Sequence, residues 1–280
     1  MTSNDVRPTS RAPRLRQRFG RRVLPAGQVA VVRLYGPIGG GPRTSDWIEL
    51  IRRLRESRRV PAVVLDIDSP GGSATASDDM YLALRRLAER KPLVAAVRGV
   101  GASGSYLAAM AAHRVVANPN AVVGSIGVIA VGPRLRVLLE RVGVRVSETR
   151  AGRLKGLGAP WRDETPEEAD KERALVDALY DAFVERVSEG RKMAPERVRE
   201  LATGEVWLAR EALGLGLVDE IGDLERAIEI AAGMAGVPAR GAPVRIRRSF
   251  IDRVIDRFAG ASAAAVADSL AARLEERYRF

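Results

Sequence analysis

The chain has 280 residues, 46% of them hydrophobic and 29% charged, with a formal net charge of +11, which is enough apolar material to bury the core of one large domain or two small ones. It has no cysteine and a single histidine, His113, which excludes disulfides, thiolate metal sites, a cysteine nucleophile and any metal site built on several imidazoles. The positive charge is nearly all arginine, with lysine only at Lys91, Lys155, Lys171 and Lys192; an amine that can lose its proton on burial is therefore scarce, and a guanidinium cannot replace it.

Residues 1–24 form a basic arm in which Arg7, Arg11, Arg14, Arg16, Arg18, Arg21 and Arg22 face only Asp5. Such an arm reads as a solvated tail, with a peripheral contact to an anionic membrane surface as its functional alternative. No apolar run approaches the roughly 18–20 residues of a membrane-spanning helix, and no apolar segment follows the arm as in a signal peptide. The expected location is cytoplasmic, membrane-peripheral at most. Basic and aromatic residues do not interleave and no nucleic-acid module is present, so nucleic acid is not expected as a partner.

Residues 28–35 (QVAVVRLY) predict a strand, and Ser45 is placed to cap a helix to about residue 57 with Trp47, Leu50, Ile51 and Leu54 on one face. Residues 60–67 predict a strand buried on both faces. A turn at 69–72, a helix to about residue 90, a strand at 92–97, a turn at 101–105 and a strand at 114–117 follow. A long charged helix is expected over 165–190, its apolar Leu175, Leu179, Phe183 and Val187 forming one buried stripe. A short helix at 195–201, a turn-rich stretch at 205–222 and a helix at 224–232 come next. Strand, turn and helix repeated at this spacing predict an α/β domain with a mainly parallel sheet over residues 25–238. A linker and amphipathic C-terminal helices are expected over 239–280, docked on the same domain or on an oligomer.

Three glycine-rich turns follow three of the strands: DSPGG at 68–72, GASGSY at 101–106 and GSIGV at 124–128. In an open parallel sheet, turns at the carboxyl ends of strands share the site of chemistry. The middle turn places Ser103 between small residues at a strand–helix junction, where the hydroxyl is exposed and the next N–H, that of Gly104, points to the same place. Gly71 and Gly72 let backbone approach a substrate closely, and a second N–H there completes an oxyanion hole worth about 3–4 kcal/mol per donor. Each turn taken alone also fits a purely structural role.

A serine hydroxyl needs a base. His113, ten residues on and beyond the intervening helix, is placed to be carried away from the turn. Asp66 and Asp68 are poor bases for a hydroxyl when their pKa stays near the usual value of about 4. Lys155, alone in the glycine-rich loop AGRLKGLGAP, becomes a base if burial removes its proton, and Ser125 is placed to hold the neutral amine. None of the turns ends in the Lys-Ser/Thr of a phosphate loop, so no nucleotide, cofactor or metal is expected.

In this order, DSPGG, GASGSY, GSIGV, GRLKGLGAP and GEVWLAREALGLGLVDEIG (204–222) resemble the motifs of signal peptide peptidase A, a bacterial Ser–Lys peptidase. The likeness runs from about Val29 to Gly236. It implies the fold shared by the Clp protease proteolytic subunit and the crotonases. It also implies Ser103 as nucleophile, Lys155 as base, Ser125 as the residue orienting that lysine, and Gly104 with Gly71 or Gly72 as the oxyanion hole. The substrates implied are apolar peptides such as remnant signal peptides. The partner implied is a second copy of the chain, in a homo-oligomeric ring where serine and lysine meet across a subunit contact. The chain departs from the family in two ways: Ser105 stands where glycine is usual, and the arginine-rich arm stands where many members have a membrane anchor. A crotonase-like acyl-CoA enzyme, or a non-catalytic scaffold of the same shape, would need neither Ser103 nor Lys155.

Overall fold

The computed structural model describes residues 27–40 and 43–244; the basic arm and the expected C-terminal helices lie outside the described residues. In chain order the elements are β1 (Val29–Tyr35), α1 (Thr44–Glu56), β2 (Val63–Ser69), α2 (Ala74–Ala88), β3 (Leu93–Ala102), α3 (Gly104–Ala109), β4 (Arg114–Ala117), β5 (Val122–Gly124), α4 (Arg136–Arg141), α5 (Pro166–Arg191), α6 (Pro195–Leu201), β6 (Val206–Leu208), α7 (Ala209–Gly214), β7 (Glu220–Ile221), α8 (Leu224–Ala235) and β8 (Gly241–Val244). The eight strands make one sheet in the order β6-β5-β3-β2-β1-β8, with β4 also on β3 and β7 on β4. Only the β5–β6 pairing is antiparallel. The architecture is α/β with a mainly parallel sheet, as the repeated strand–turn–helix pattern predicts.

The sheet is covered on both faces, which is why its strands are apolar throughout rather than alternating. Ala30, Val32, Leu65, Ile67, Ala95 and Val97 face a large core filled by α1, α2, α3 and the end of α5. Val31, Val64, Val94 and Val116 face α8, which offers Ala227, Ala231 and Ala232 and so comes close to the strands. Helix ends follow local chemistry. The Ser73 hydroxyl accepts the Ala76 N–H at the start of α2, the Asp223 carboxylate accepts the Arg226 N–H at the start of α8, and Thr165 and Glu168 form a reciprocal capping box on α5.

Four local expectations change. Helix α1 begins at Thr44 after Arg43 with no side-chain cap, so Ser45 lies inside the first turn. Strand β3 continues to Ala102, because its first half pairs with β4 and its second with β5. The stripe on α5 is only half buried: Phe183 and Val187 join the core, whereas Leu175 and Leu179 are 46% and 47% exposed, since no described part of the chain covers the earlier turns. Residues 241–244, expected in a linker, form β8, held by four parallel register pairs to β1.

Lys91 is explained by the fold. Among the described residues its ammonium meets no carboxylate and instead donates to the carbonyl oxygens of Leu54 (2.6 Å), Ser57 and Val60 (2.9 Å), closing the end of α1 and the loop after it. Lys91→Met leaves those oxygens without their shared donor and is expected to cost about 2 kcal/mol of stability, read as a lowered denaturation midpoint with activity per folded molecule unchanged.

Candidate active site

Ser103 sits where β3 ends and α3 begins, with φ 52° and ψ −124°. A non-glycine residue in this region is strained, by about 1–3 kcal/mol, and the turn survives because its surroundings fix it. The Ser103 N–H donates to Gly124 O (2.8 Å), and Ser103 O accepts the Leu107 N–H (2.9 Å). The next N–H, that of Gly104, opens α3 and has no hydrogen-bond partner among the described residues.

The turn after β2 lies against this point. A Cβ on Gly71 would come within 2.6 Å of Gly104 N, 2.7 Å of Ala102 O and 2.9 Å of Ser103 Cβ. Gly71 has φ 92° and Gly72 φ 153°, and a Cβ on Gly72 would overlap the Ile38 backbone. Their amides differ in use: Gly71 N–H donates to Ser69 Oγ (3.2 Å), whereas Gly72 N–H, like that of Gly104, has no partner among the described residues. A bulge in the β2–β3 pairing lies between Ile67 and Ser69, where Asp68 Oδ1 accepts the Val100 N–H (3.0 Å).

Ser125 follows Gly124, whose register partner is Ala102, so Ser103 and Ser125 end adjacent parallel strands. Ser125 also has positive φ (49°), and its N–H donates to Glu205 O (2.6 Å). The structure thus brings Ser103, Gly104, Gly71, Gly72 and Ser125 together. It does not join Lys155 to them. Lys155 is exposed, and among the described residues its amine has no hydrogen bond or ion pair. Its loop follows a segment whose apolar residues face outward, with Ile129 84% and Val131 86% exposed and Val142, Val144 and Val146 also uncovered.

The other candidate bases have structural work. His113 Nδ1 accepts the Leu93 N–H (3.1 Å). Asp66 is fully buried and accepts from Tyr35 Oη (2.7 Å) and Arg98 Nη2 (2.9 Å). Among the described residues no three His, Asp or Glu side chains gather as a metal site, and no helix is long and apolar enough to cross a membrane.

Two buried hydroxyls at the turn were not apparent from the sequence as supports of Ser103. Ser105 Oγ donates to Ser69 O (2.6 Å) and Ala102 O (2.9 Å) and is fully buried, tying the end of β2 to the end of β3. Ser77 Oγ lies where a Cβ on Gly104 would fall. Ser105→Ala strands two buried carbonyls and is expected to cost about 1–2 kcal/mol. Covalent labelling by a fluorophosphonate should persist in that variant and vanish in Ser103→Ala; labelling lost with Ser105 instead would reassign the reactive hydroxyl.

A half-buried, strained serine beside two backbone N–H groups that have no partner among the described residues is the geometry of a hydrolase that attacks carbonyls. The profile of peptidase family S49 matches residues 85–238. The chain is 37% identical over 222 residues to "Serine protease SPPA, chloroplastic" of Arabidopsis thaliana, covering 75% of this chain and 33% of that protein. It is 37% identical over 212 residues to a Synechocystis sp. protein whose name marks it as a candidate protease, covering 75% of each. It is also 31% identical over 211 residues to "Protease 4" of Haemophilus influenzae, covering 73% of this chain and 34% of that protein. Among solved structures it is similar to a variant of Listeria monocytogenes ClpP1, with TM-score 0.49 and 16% identity over 70% of this chain and 93% of that one. The class these relatives define is that of the peptidase families. The chain belongs to peptidase family S49, the family of signal peptide peptidase A, and spans about a third of the Arabidopsis and Haemophilus relatives.

Proposed function

We propose that the protein is a serine endopeptidase in which Ser103 attacks the scissile carbonyl and Lys155 is the general base. The observation that carries this reading is the Ser103 turn, whose strained φ and ψ set the serine at the start of α3 against the Gly71–Gly72 turn, beside the Gly104 and Gly72 N–H groups. Neutral Lys155 takes the proton from Ser103 Oγ as Oγ bonds to the carbonyl carbon. The oxygen of the tetrahedral intermediate then carries the charge and is held by Gly104 N–H and Gly72 N–H, Gly71 N–H being engaged by Ser69. The ammonium of Lys155 gives its proton to the departing amine. Water, activated by the same amine, then hydrolyses the ester at Ser103. Ser125, ending the strand beside Ser103, is placed to hold the amine. Apolar peptides, remnant signal peptides among them, are the proposed substrates.

Lys155 serves as a base only when desolvated, and the isolated chain leaves it in water. Ile129 and Val131 before its loop, and separately Leu175 and Leu179 on α5, are exposed apolar side chains of the kind that marks an interface. The proposed occupant is a second copy of the chain, so that Lys155 of one subunit meets Ser103 of the next and assembly becomes a condition of activity. Val131→Asp is expected to release subunits, seen as a lower mass in solution, and to lower kcat at least about tenfold in step. An assembled or fully active Val131→Asp would remove the support for this interface. The test of the function itself is hydrolysis of a signal-like apolar peptide, with loss in Ser103→Ala; no hydrolysis of any peptide by the assembled protein would overturn it.

A further inference from the structure

We infer that Glu168, Arg162 and Arg150 form a clamp that positions Lys155, a role that rests on the dyad reading above. Glu168, in the first turn of α5, is 1% exposed. A carboxylate withdrawn from water must be paired. Its oxygens accept from Arg162 Nη1 (2.8 Å) and Nη2 (2.5 Å) and from the Thr165 N–H (3.0 Å), with Arg150 Nη1 at 3.5 Å. The Arg162 guanidinium, and then the Thr165 N–H, hold its carboxyl well below the usual carboxylate range. The capping box ties this carboxylate to the helix, so the guanidinium it grips is fixed to the helix too.

That guanidinium in turn grips the lysine loop. Arg162 Nη2 donates to Gly156 O (2.9 Å), the residue after Lys155, and Nη1 to Asp163 O (3.0 Å). A Cβ on Gly156 would stand 2.6 Å from Arg162 Nη2, 2.7 Å from Arg150 Nη1 and 2.8 Å from Glu148 Oε1. A methyl there would push these side-chain ends off the backbone and loosen the grip of Arg162 on Gly156 O. Glu148 completes the layer, at 3.4 Å from Arg150 and 3.6 Å from Arg162 while accepting from Trp161 Nε1 (3.0 Å). The loop supplies little order of its own beyond turn hydrogen bonds such as Lys155 N–H to Gly152 O (3.2 Å). Its orientation comes from the helix through Glu168 and Arg162, the kind of support that fixes a catalytic group in place.

The charged groups of the clamp and the lysine loop are Arg150, Arg153 and Arg162 against Glu148, Glu167 and Glu168, Arg153 being paired with Glu167 (2.7 Å). In Arg162→Met, Glu168 loses its bidentate partner and Gly156 O loses the donor that ties the lysine loop to the helix. The test measures peptide hydrolysis, together with assembly state, for the full chain carrying Arg162→Met and, separately, Gly156→Ala, which displaces the guanidinium without changing any charge. The expected result is a fall in kcat of at least about tenfold in both with KM little changed. Unchanged kcat, a loss expressed in KM instead of kcat, or a loss that only follows the fraction of folded, assembled protein overturns the clamp. Lys155→Ala run alongside separates the two failures: if it is inactive while the clamp variants behave as wild type, only the clamp falls, and if it is active the dyad falls and takes the clamp with it.

Discussion

Ser103→Ala is expected to abolish peptide hydrolysis, with kcat down by at least about 10⁴-fold, and Lys155→Ala to do nearly the same, since the parts of a nucleophile–base unit fail together. Neither change should unfold the protein. Among the described residues Ser103 Oγ has no hydrogen bond and the exposed Lys155 amine no partner, and the Ser103 N–H still reaches Gly124 O. Circular dichroism and the thermal midpoint should therefore stay close to wild type while the burst of acyl-enzyme disappears. Lys155→Arg should be as inactive as Lys155→Ala, because a guanidinium does not give up its proton. A Lys155→Ala variant that turns over peptide within tenfold of wild type would assign the base elsewhere.

Gly71→Ala is the second substitution with a large expected effect, and it acts by geometry alone. Position 71 has φ 92°, and the new methyl would meet Gly104 N, Ala102 O and Ser103 Cβ within 2.9 Å. All three belong to the Ser103 turn and none is the end of a flexible side chain, so the two turns must part. The expected cost is about 3 kcal/mol of stability from overpacking and backbone strain. In the protein that remains folded, kcat should fall about 10²–10³-fold as the Gly104 and Gly72 N–H groups lose their common focus. Equilibrium unfolding and single-turnover kinetics on the same preparation separate these two losses. Wild-type kcat in Gly71→Ala would show that the turns do not act as one unit.

The Ser103 end of the site was legible in the sequence because its determinants are local. A glycine-rich turn after an apolar strand fixes Ser103, Gly104, Gly71 and Gly72 by chain geometry, and parallel neighbours put those turns together. The order of strands around β3 was not legible: its split between β4 and β5 depends on which segments return to it, and no residue pattern in 92–102 announces that. Gly241 to Val244 read as linker because glycine and proline dominate the stretch, yet the free edge of β1 accepts it. Leu175 and Leu179 repeat at helical spacing, but spacing reports that a face is apolar and not what covers it. The Glu168 clamp left one signal, the T-x-x-E capping box at 165–168, which predicts the helix start; that Arg162 would bridge it to Gly156 O depends on tertiary approach.

The most direct test of the account is complementation between dead subunits. Ser103→Ala and Lys155→Ala chains are produced together in one cell, purified as mixed assemblies and assayed on an apolar peptide. If Lys155 of one subunit serves Ser103 of its neighbour, random mixing rebuilds roughly one site in four, and activity returns where each parent alone has none. Mixed assemblies as inactive as both parents would contradict it.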